Sequence, residues 1–297
     1  MTTRVALVTG ASSGIGERTA LRLQEAGFVV YAVARRVERM QALADSGVHV
    51  FAMDVTDDAS MTSGVGRIID EQGRIDVLVN NAGYGSYGSV EDVPIEEARR
   101  QLEVNVFGLA RLTQLVTPHM RAVAGEHLAQ RPRIVNLSSI GGKYYEPLGA
   151  WYHATKFAVE GFSDSLRIEL APHGIDVIII EPGPIRTEWG AISRERLLET
   201  SRDGAYEEQA ERVHHVMERA DRRRLMSSGP DVVAKKIVAA VQANTPRARY
   251  PVGRGARSIV RARRLLPDAA FDYVVKGIYG VRGRSGRRRP GHRPGRR

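Results

Sequence analysis

RVALVTGASSGIGERTA, residues 4–20, is the stretch that decides the fold. An apolar run ends at Thr9, and a turn containing Gly10, Gly14 and Gly16 leads directly into an amphipathic helix. Glycines at such a turn permit a sharp bend, let the backbone approach a pyrophosphate, and allow the helix to pack closely on the sheet. The first helical turn also offers free N–H groups and positive potential to an anion. The segment therefore predicts a dinucleotide-binding β-α unit, whose turn also contains Ser12, Ser13 and Ile15.

Apolar runs rich in β-branched residues recur along the chain between longer amphipathic stretches. The predicted strands cover residues 4–9, 28–34, 48–53, 75–80, 133–138, 175–181 and 248–252. Their nearly continuous hydrophobicity is typical of strands that are buried on both faces. The predicted helices cover residues 14–26, 38–45, 57–72, 95–121, 151–171 and 230–243. Alternating strands and helices predict an α/β fold, a Rossmann-type doubly wound parallel sheet, in one catalytic domain over residues 1–252.

Two segments depart from this alternation. Residues 188–228 form a charged, helix-prone insertion, which is predicted to be a lid. Residues 253–281 predict a helical extension, and the Arg-rich residues 282–297 predict a disordered tail because they contain no apolar side chain to bury. In the extension, Ile259, Ala262 and Leu266 recur at helical spacing among arginines, so a basic amphipathic helix is expected. Its apolar face either covers the body of the protein, which is the favoured interpretation, or contacts an anionic membrane.

Composition excludes several kinds of function. The 297 residues include no cysteine, which excludes disulfides, thiolate nucleophiles and cysteine-ligated metals, and no metal site is predicted. The net charge of +10 is concentrated in residues 247–297, where 16 Arg or Lys face two acids, so the rest of the chain has a net charge of −4. This pattern therefore argues against a nucleic-acid partner. The lack of a signal-peptide pattern and of a long apolar run predicts a cytoplasmic protein, with peripheral membrane contact as the alternative.

The end of the second strand indicates which dinucleotide is preferred. Dinucleotide folds usually place an acid about 20 residues beyond the glycines, where it accepts from the adenosine ribose hydroxyls. Ala34 stands at that position, and Arg35 and Arg36 follow it. An arginine pair would bind a 2′-phosphate, whereas an acid would repel it. The sequence therefore favours NADP(H) over NAD(H). Further cofactor contacts are predicted from residues after strands three and four, namely Asp54, Val55, Asn81, Ala82 and Gly83.

A tyrosine and a lysine stand four residues apart in the segment YHATK. Tyr152 and Lys156 share one face of the predicted helix, and the nearby cation is expected to lower the pKa of the phenol. Such a pair suits general acid–base catalysis. Ser138 and Ser139 end the fifth strand, at the edge of an open α/β sheet where ligands bind. These residues predict a catalytic site beside the cofactor.

Together, TGASSGIG, NNAG, Asn105, SS and YHATK resemble the short-chain dehydrogenase/reductase family over residues 3–252. The resemblance implies that Tyr152 gives or takes the proton, that Ser139 orients the substrate carbonyl, and that Lys156 lowers the pKa of Tyr152 and holds the nicotinamide ribose. It implies that Asn105 holds a water in a proton relay from Lys156. It also implies that the turn after strand six anchors the carboxamide through Pro182, Gly183, Ile185 and Thr187.

One departure from the family and several nearby side chains need a separate interpretation. NADP-dependent members often carry a basic residue just before the second glycine, where this chain has Ser13. His153 is predicted to have a surface or packing role, Ser138 a structural role, and Glu188, His214 and His215 to be solvated. Tyr144, Tyr145, Trp189 and Met217 are predicted with equal weight to line a substrate pocket or to belong to the core.

The predicted function is an NADP(H)-dependent oxidoreductase that interconverts an alcohol and a ketone or aldehyde. The aromatic content of the loop IGGKYYEPLGAW, residues 140–151, resembles members that act on steroid, retinoid and fatty carbonyls, which implies a lipophilic substrate. The resemblance also implies a homodimer or homotetramer. The alternative is a catalytically silent NADP-binding sensor, or a nucleic-acid-associated protein that acts through the basic tail.

Overall fold

A single parallel sheet forms the centre of the protein. The computed structural model describes residues 3–124, 131–222 and 227–281. Within them, seven strands lie in the order β3-β2-β1-β4-β5-β6-β7, and every neighbouring pair is parallel. The strands are β1 (Val5–Thr9), β2 (Val29–Ala34), β3 (His49–Ala52), β4 (Val77–Asn80), β5 (Arg133–Leu137), β6 (Asp176–Pro182) and β7 (Arg249–Val252). The predicted doubly wound Rossmann-type sheet is confirmed.

Helices cover both faces of the sheet, as the near-continuous hydrophobicity of the strands requires. They are α1 (Gly14–Glu25), α2 (Gln41–Asp45), α3 (Asp58–Gln72), α4 (Ile95–Leu102), α5 (Gly108–Val123), α6 (Ala150–Leu170), α7 (Glu188–Ser201), α8 (Glu207–Arg222), α9 (Pro230–Gln242), α10 (Ala256–Leu265) and α11 (Asp268–Tyr279). In β1, Ala6 and Val8 pack in the cluster on one face, while Val5 and Leu7 pack in the cluster on the other. The alternation places one core on each side of the sheet.

The helix predicted over residues 95–121 is interrupted near its middle. Between α4 and α5, residues Glu103–Phe107 form a π-helical turn that contains the buried Asn105. A π turn inserts an extra residue into a helix and is frequent at functional sites. The single regular helix expected from the pattern is therefore corrected to two α-helices joined through this turn.

The predicted lid insertion consists mainly of two packed helices, α7 and α8. A third apolar cluster joins them to the C-terminal helix α11, where Phe271, Val275 and Tyr279 pack with Leu197 and Val213. The C-terminal extension therefore covers the body of the protein mainly through α11. The predicted apolar face of α10 is only partly covered, since Ile259 and Leu266 are half-buried whereas Ala262 is exposed. The tail at residues 282–297 lies outside the described residues.

Candidate active site

The carboxyl ends of the strands open into a cleft of about 640 Å³. Parallel sheets of this order place ligands where the strand order reverses, here between β1 and β4. The cleft is lined by most residues that the sequence singled out, namely Gly10, Ser12, Ser13, Gly14, Ile15, Arg35, Arg36, Asp54, Val55, Asn81, Ala82, Gly83, Ser139, Tyr152, Lys156, Pro182, Gly183, Ile185 and Thr187. Gly16 and Asn105 do not line the cleft, and both support residues that do.

The glycine turn fits a dinucleotide for reasons that are visible in its packing. Gly10 has a φ of +64°, and a Cβ there would lie 2.8 Å from the Cα of Ala82. A Cβ at Gly16 would lie 2.4 Å from the carbonyl oxygen of Gly10, so Gly16 allows the helix to pack rather than contacting a ligand. The Asn81 amide donates to the carbonyls of Thr9 and Gly10 at 2.9 and 3.1 Å. The Asn81 side chain thus holds the glycine turn in place from the protein side, and the start of α1 faces the cleft.

Thr9 is a supporting residue that sequence reasoning missed. Its hydroxyl oxygen accepts from the backbone N–H groups of Asn81 and Ala82, both at 3.0 Å, and donates to the carbonyl of Val79 at 3.3 Å. The glycine turn after β1 and the NNAG turn after β4 are therefore joined as one unit. The register of β1 on β4 creates this contact, so no local sequence pattern signals it.

Two exposed arginines lie where the sequence analysis places the adenosine end of the cleft. Arg35 and Arg36 follow β2, and the buried Ala34 leaves this position without an acid. Arg39, which the sequence analysis did not single out, forms an ion pair of 2.5 Å with Glu188 at the start of α7. The guanidinium of Arg39 lowers the pKa of Glu188 below its usual value. Glu188 is exposed, as expected, and its carboxylate is also paired with Arg39.

Asp54 follows β3, and one of its carboxylate oxygens accepts from the backbone N–H and the hydroxyl of Thr56, at 2.9 and 2.8 Å. At the opposite end of the cleft, the turn after β6 is held against the residues that precede α9. The Arg186 N–H donates to the carbonyl of Ser228 at 2.9 Å, and the N–H of Ser228 donates to the carbonyl of Pro184 at 3.0 Å. This bracing positions the turn that contains Ile185 and Thr187.

Helix α6 places Tyr152 and Lys156 one turn apart on its buried face. Tyr152 is 8% exposed, and its ring lies 5.6 Å from that of Tyr87 and 5.2 Å from that of Trp189, measured between centroids. The Lys156 ammonium donates to the carbonyl of Leu137 at 2.8 Å. Ser139 is the N-cap of a short 3₁₀ turn, and its hydroxyl oxygen accepts from the N–H of Gly141 at 3.0 Å. The strand end and the helix thus converge on one point.

The electrostatics of this pair differ from the sequence expectation. Burial raises the pKa of Tyr152 to about 12, while its hydrogen bond with Ser139 opposes the rise. Burial also lowers the pKa of Lys156 to about 8, and the carboxylate of Glu160 opposes that shift. Burial therefore sets the direction of the Tyr152 pKa, and the Lys156 ammonium bonds to the carbonyl of Leu137. A phenol that stays protonated at pH 7 is the form that donates a proton to a carbonyl.

Asn105 joins the cleft wall to α6. Its amide nitrogen donates to the carbonyl of Tyr84 at 2.8 Å and to the hydroxyl of Thr155 at 3.1 Å, while its oxygen accepts from the N–H of Tyr84 at 3.0 Å. The π turn directs this side chain away from its own helix toward these partners. Thr155 directly precedes Lys156, so Asn105 positions the helix that carries the lysine.

Two further residues have the structural roles that their patterns predict. The buried His153 lies 2.8 Å from the carbonyl of Gly141 through Nδ1, and its Nε2 accepts from the N–H of Glu146 at 3.1 Å. Nδ1 is therefore the protonated nitrogen, and the ring has the predicted packing role in holding the loop before α6. Ser138 is buried, and its N–H donates to the carbonyl of Ile180 at 2.9 Å.

The four aromatic and thioether candidates separate into two groups. Tyr144, Trp189 and Met217 line the cleft. Tyr145 does not, because its hydroxyl donates to Asp272 at 2.8 Å and its ring packs on Phe271. The cleft also contains Glu146, Tyr87 and Tyr279, which sequence reasoning did not single out.

A buried carboxyl pair lies behind the site. Glu160 on α6 accepts from Lys143 at 2.8 Å and from Arg249 at 3.0 Å. Glu181 on β6 is 1% exposed and lies 3.7 Å from Arg249. Burial, reinforced by the charge of Glu160, raises the pKa of Glu181 to about 7 from its usual 4.5.

This pair predicts a pH dependence of stability. The folded state keeps a proton on Glu181 up to about pH 7, whereas the unfolded chain loses it near 4.5, so the free energy of unfolding falls as pH rises between these values. We expect Glu181→Gln to remove this loss. Compared with the wild type, the variant should gain on the order of 1–3 kcal/mol more free energy of unfolding at pH 8 than at pH 5. Urea unfolding at both pH values measures it, with the exposed Glu169→Gln as control. An equal change at pH 5 and pH 8 would contradict the assignment.

A family model described as short chain dehydrogenase matches residues 4–197. The chain belongs to the short-chain dehydrogenase/reductase family. Uncharacterized oxidoreductase YusZ of Bacillus subtilis (strain 168) is 35% identical over 286 residues, covering 93% of this chain and 98% of the relative. The 3-ketodihydrosphingosine reductase of Bacteroides thetaiotaomicron is 34% identical over 95% of this chain and 100% of its own length. A crystal structure of a short-chain dehydrogenase from Streptomyces avermitilis superposes with a TM-score of 0.76 at 30% identity, covering 95% of this chain and 100% of that one.

This short-chain dehydrogenase/reductase is therefore an oxidoreductase that acts on CH–OH and C=O groups with NAD(P). The residues of the cleft fit that cofactor, because the glycine turn and the start of α1 line it, and a Cβ at Gly14 would lie 3.1 Å from the Cγ2 of Thr187, which also lines the cleft. In the described part of the chain, His214, His215 and Glu218 form one group whose potential metal-ligand atoms come within 4.8 Å of one another. No helix in that part is both long and apolar enough to cross a bilayer.

Proposed function

We propose that this enzyme interconverts an alcohol and a ketone or aldehyde with NADP(H), using Tyr152 as the proton donor and acceptor. The observation that carries the proposal is the convergence of Tyr152, Ser139 and Lys156 in the cleft that the glycine turn opens. An alternative of another class, a silent NADP-binding sensor, is less well supported because this set of side chains is complete.

The roles that we assign to the residues are those that the family resemblance implies. The nicotinamide supplies or accepts the hydride. The Ser139 hydroxyl hydrogen-bonds the substrate oxygen and orients the carbonyl. During reduction the Tyr152 phenol transfers its proton to that oxygen, so a neutral alcohol leaves. Lys156, which lies on α6 and donates to the carbonyl of Leu137 in β5, would hold the nicotinamide ribose and return a proton to Tyr152. Asn105 positions α6 and would hold a water of this proton relay. The turn with Pro182, Gly183, Ile185 and Thr187 anchors the carboxamide.

The preference for NADP(H) rests on the end of β2. Arg35 and Arg36 are exposed at the cleft, and no acid stands at position 34 to bind a free ribose hydroxyl or to repel a phosphate. A charge-assisted contact between Arg35 and a 2′-phosphate is the strongest discrimination that this end of the cleft offers. Asp54 and Val55 would contact the adenine, and Asn81, Ala82 and Gly83 would contact the rest of the nucleotide.

A lipophilic substrate is favoured by the walls of the cleft. Tyr87, Trp189, Val216 and Met217 surround the position of Tyr152 with apolar and aromatic surface. Such surface retains an alkyl chain by removing it from water. A relative of similar length is named a 3-ketodihydrosphingosine reductase, which is consistent with a long-chain carbonyl substrate.

NADPH oxidation with a panel of straight-chain ketones and aldehydes of increasing length tests the function. We expect turnover, with kcat/KM that rises with chain length and is higher for NADPH than for NADH. A protein that binds NADPH but oxidises it with no carbonyl of the panel would instead support the sensor alternative.

Exposed aromatic and aliphatic side chains on the helices after β4 and β5 support a homodimer or homotetramer. Phe107 beside α5 and Phe157 and Ile168 on α6 are exposed in the single chain. A second copy would remove this apolar surface from water.

The catalytic unit that we assign comprises residues 1–252 with the lid insertion, and α11 completes its cleft through Tyr279.

Peripheral membrane contact is a second candidate property. On the C-terminal helices, Leu265 and Tyr273 are 80% and 81% exposed, and Ile278 is also exposed. Arg257, Arg261 and Arg264 are exposed on α10 beside them. A basic face with exposed apolar side chains matches an anionic lipid surface, and each nearby Arg contributes about 1 kcal/mol.

Deleting residues 282–297 separates this property from catalysis. We expect the full chain to sediment with vesicles that contain phosphatidylserine at low salt and to be released at high salt, because salt screens the attraction. The deletion should weaken sedimentation and leave kcat on a water-soluble carbonyl unchanged. Loss of kcat would show that the tail belongs to the catalytic unit, and salt-independent sedimentation would contradict an electrostatic contact.

A further inference from the structure

Glu146 holds an unusual position in the wall of the cleft. It lies in the loop before α6, and three tyrosine hydroxyls donate to its carboxylate. Tyr87 donates to Oε1 at 2.9 Å, Tyr144 donates to Oε2 at 3.1 Å, and Tyr279 also donates to Oε2. The three phenols come from the loop after β4, the loop before α6 and the C-terminal helix α11. Segments far apart in the chain therefore orient one carboxylate.

Within the described residues, every hydrogen-bond partner of the Glu146 carboxylate side chain is neutral, and no ion pair involves it. Two cations that line the same cleft are already paired, Arg194 with Asp221 and Arg196 with Glu97. Burial and the charge of Glu146 raise the pKa values of Tyr87 and Tyr144 well above 10, so both phenols stay protonated donors. The other cations that line the cleft, Arg35, Arg36, Arg100 and Lys156, form no ion pair with Glu146. Glu146 therefore carries a negative charge that no side chain in contact neutralises.

Glu146 has room for one further donor. A carboxylate offers about four acceptor positions, and the three phenols use three of them. The residue is half-buried and lines the cleft, so a ligand reaches the remaining position. His153 fixes its backbone by accepting from its N–H at 3.1 Å. The ring of Tyr87, whose hydroxyl bonds Glu146, is tilted against that of Tyr152 with centroids 5.6 Å apart, so this acceptor belongs to the same part of the cleft as the proposed proton donor.

We propose that Glu146 determines specificity by binding a protonated amine that the substrate carries within a few atoms of its carbonyl. The inference rests on the proposed oxidoreductase function and narrows its substrate class to amino ketones and the corresponding amino alcohols. A cation is favoured over a neutral donor because it neutralises the carboxylate in a partly desolvated site, whereas a hydroxyl does not.

A purely structural role is the competing explanation, since Tyr279 ties α11 to this loop through Glu146. Two variants separate the explanations. Glu146→Gln keeps an acceptor oxygen for the phenols and removes the charge. Tyr279→Phe removes the tie to α11 and keeps the charge.

The test compares a long-chain 2-amino ketone, its N-acetyl derivative and the ketone without nitrogen, at equal chain length. We expect the wild type to prefer the free amine by kcat/KM, and Glu146→Gln to reduce the value for the amine at least tenfold more than the value for the plain ketone. The N-acetyl compound should follow the plain ketone because it carries no charge. Tyr279→Phe should affect the amine and the plain ketone alike.

Equal losses for both ketones in Glu146→Gln would overturn the inference and leave the proposed function intact. If turnover is absent, a binding measurement still distinguishes the role of Glu146 from the proposed function. With NADP⁺ present, the matching 2-amino alcohol should raise the Tm of the wild type more than the plain alcohol does, and this difference should vanish in Glu146→Gln. Absence of turnover with every carbonyl overturns the proposed function, whereas an unchanged Tm difference in the variant overturns the role of Glu146.

Discussion

Tyr152→Phe is expected to lower kcat for carbonyl reduction by about 10²- to 10⁴-fold, the range typical of a lost general acid. The affinity for NADPH should change little, because the phenol acts on the substrate and the ring is retained. Phenylalanine preserves the packing of this buried side chain against Tyr87 and Trp189, so the fold should persist. Single-turnover NADPH oxidation measures the chemical step, and a fluorescence titration measures cofactor binding.

Tyr145, in the loop before α6, provides a matched control. Tyr145 is a phenol that does not line the cleft, and its hydroxyl donates to Asp272 at 2.8 Å. Tyr145→Phe should therefore keep kcat close to that of the wild type. Lys156→Ala should lower both kcat and the affinity for NADPH, since the ammonium serves the cofactor as well as the proton path. Near-normal turnover in Tyr152→Phe would refute the mechanism.

Arg35→Asp is expected to reverse the cofactor preference. A charge-assisted contact contributes about 1.5–3 kcal/mol, so its loss should reduce kcat/KM for NADPH by roughly ten- to more than a hundredfold. The new carboxylate would also repel the 2′-phosphate and accept from the ribose hydroxyls of NADH, raising the value for that cofactor. Steady-state kinetics with each cofactor at a fixed carbonyl concentration measures the ratio.

Arg257→Asp serves as the control for this change in charge, because Arg257 is an exposed arginine on α10 that does not line the cleft. It should leave the ratio of the two cofactors unaltered. If the wild type already uses NADH as efficiently as NADPH, the interpretation of the segment after β2 is wrong.

Most of the fold could be predicted because its signals are local. The glycine turn, the apolar strands and the Tyr152–Lys156 spacing each involve residues close together in the chain, and backbone geometry translates such spacing directly into shared faces and turns. The prediction of one regular helix over residues 95–121 was wrong at Asn105. The π turn there depends on bonds to Tyr84 and Thr155, which are 21 and 50 residues away, and no local pattern encodes them.

The sequence by itself determined the family, the order of the strands along the chain and the set of polar groups that the cleft collects. Only the tertiary structure decided the pKa values of those groups and their long-range contacts. Burial, which depends on the whole packed chain, raises the pKa of Tyr152 although the adjacent lysine predicts the opposite. Tyr279 reaches Glu146 from 133 residues away, and Arg39 pairs with Glu188 from 149 residues away. Periodicity carries no information about such contacts, because they exist only after the sheet brings distant segments together.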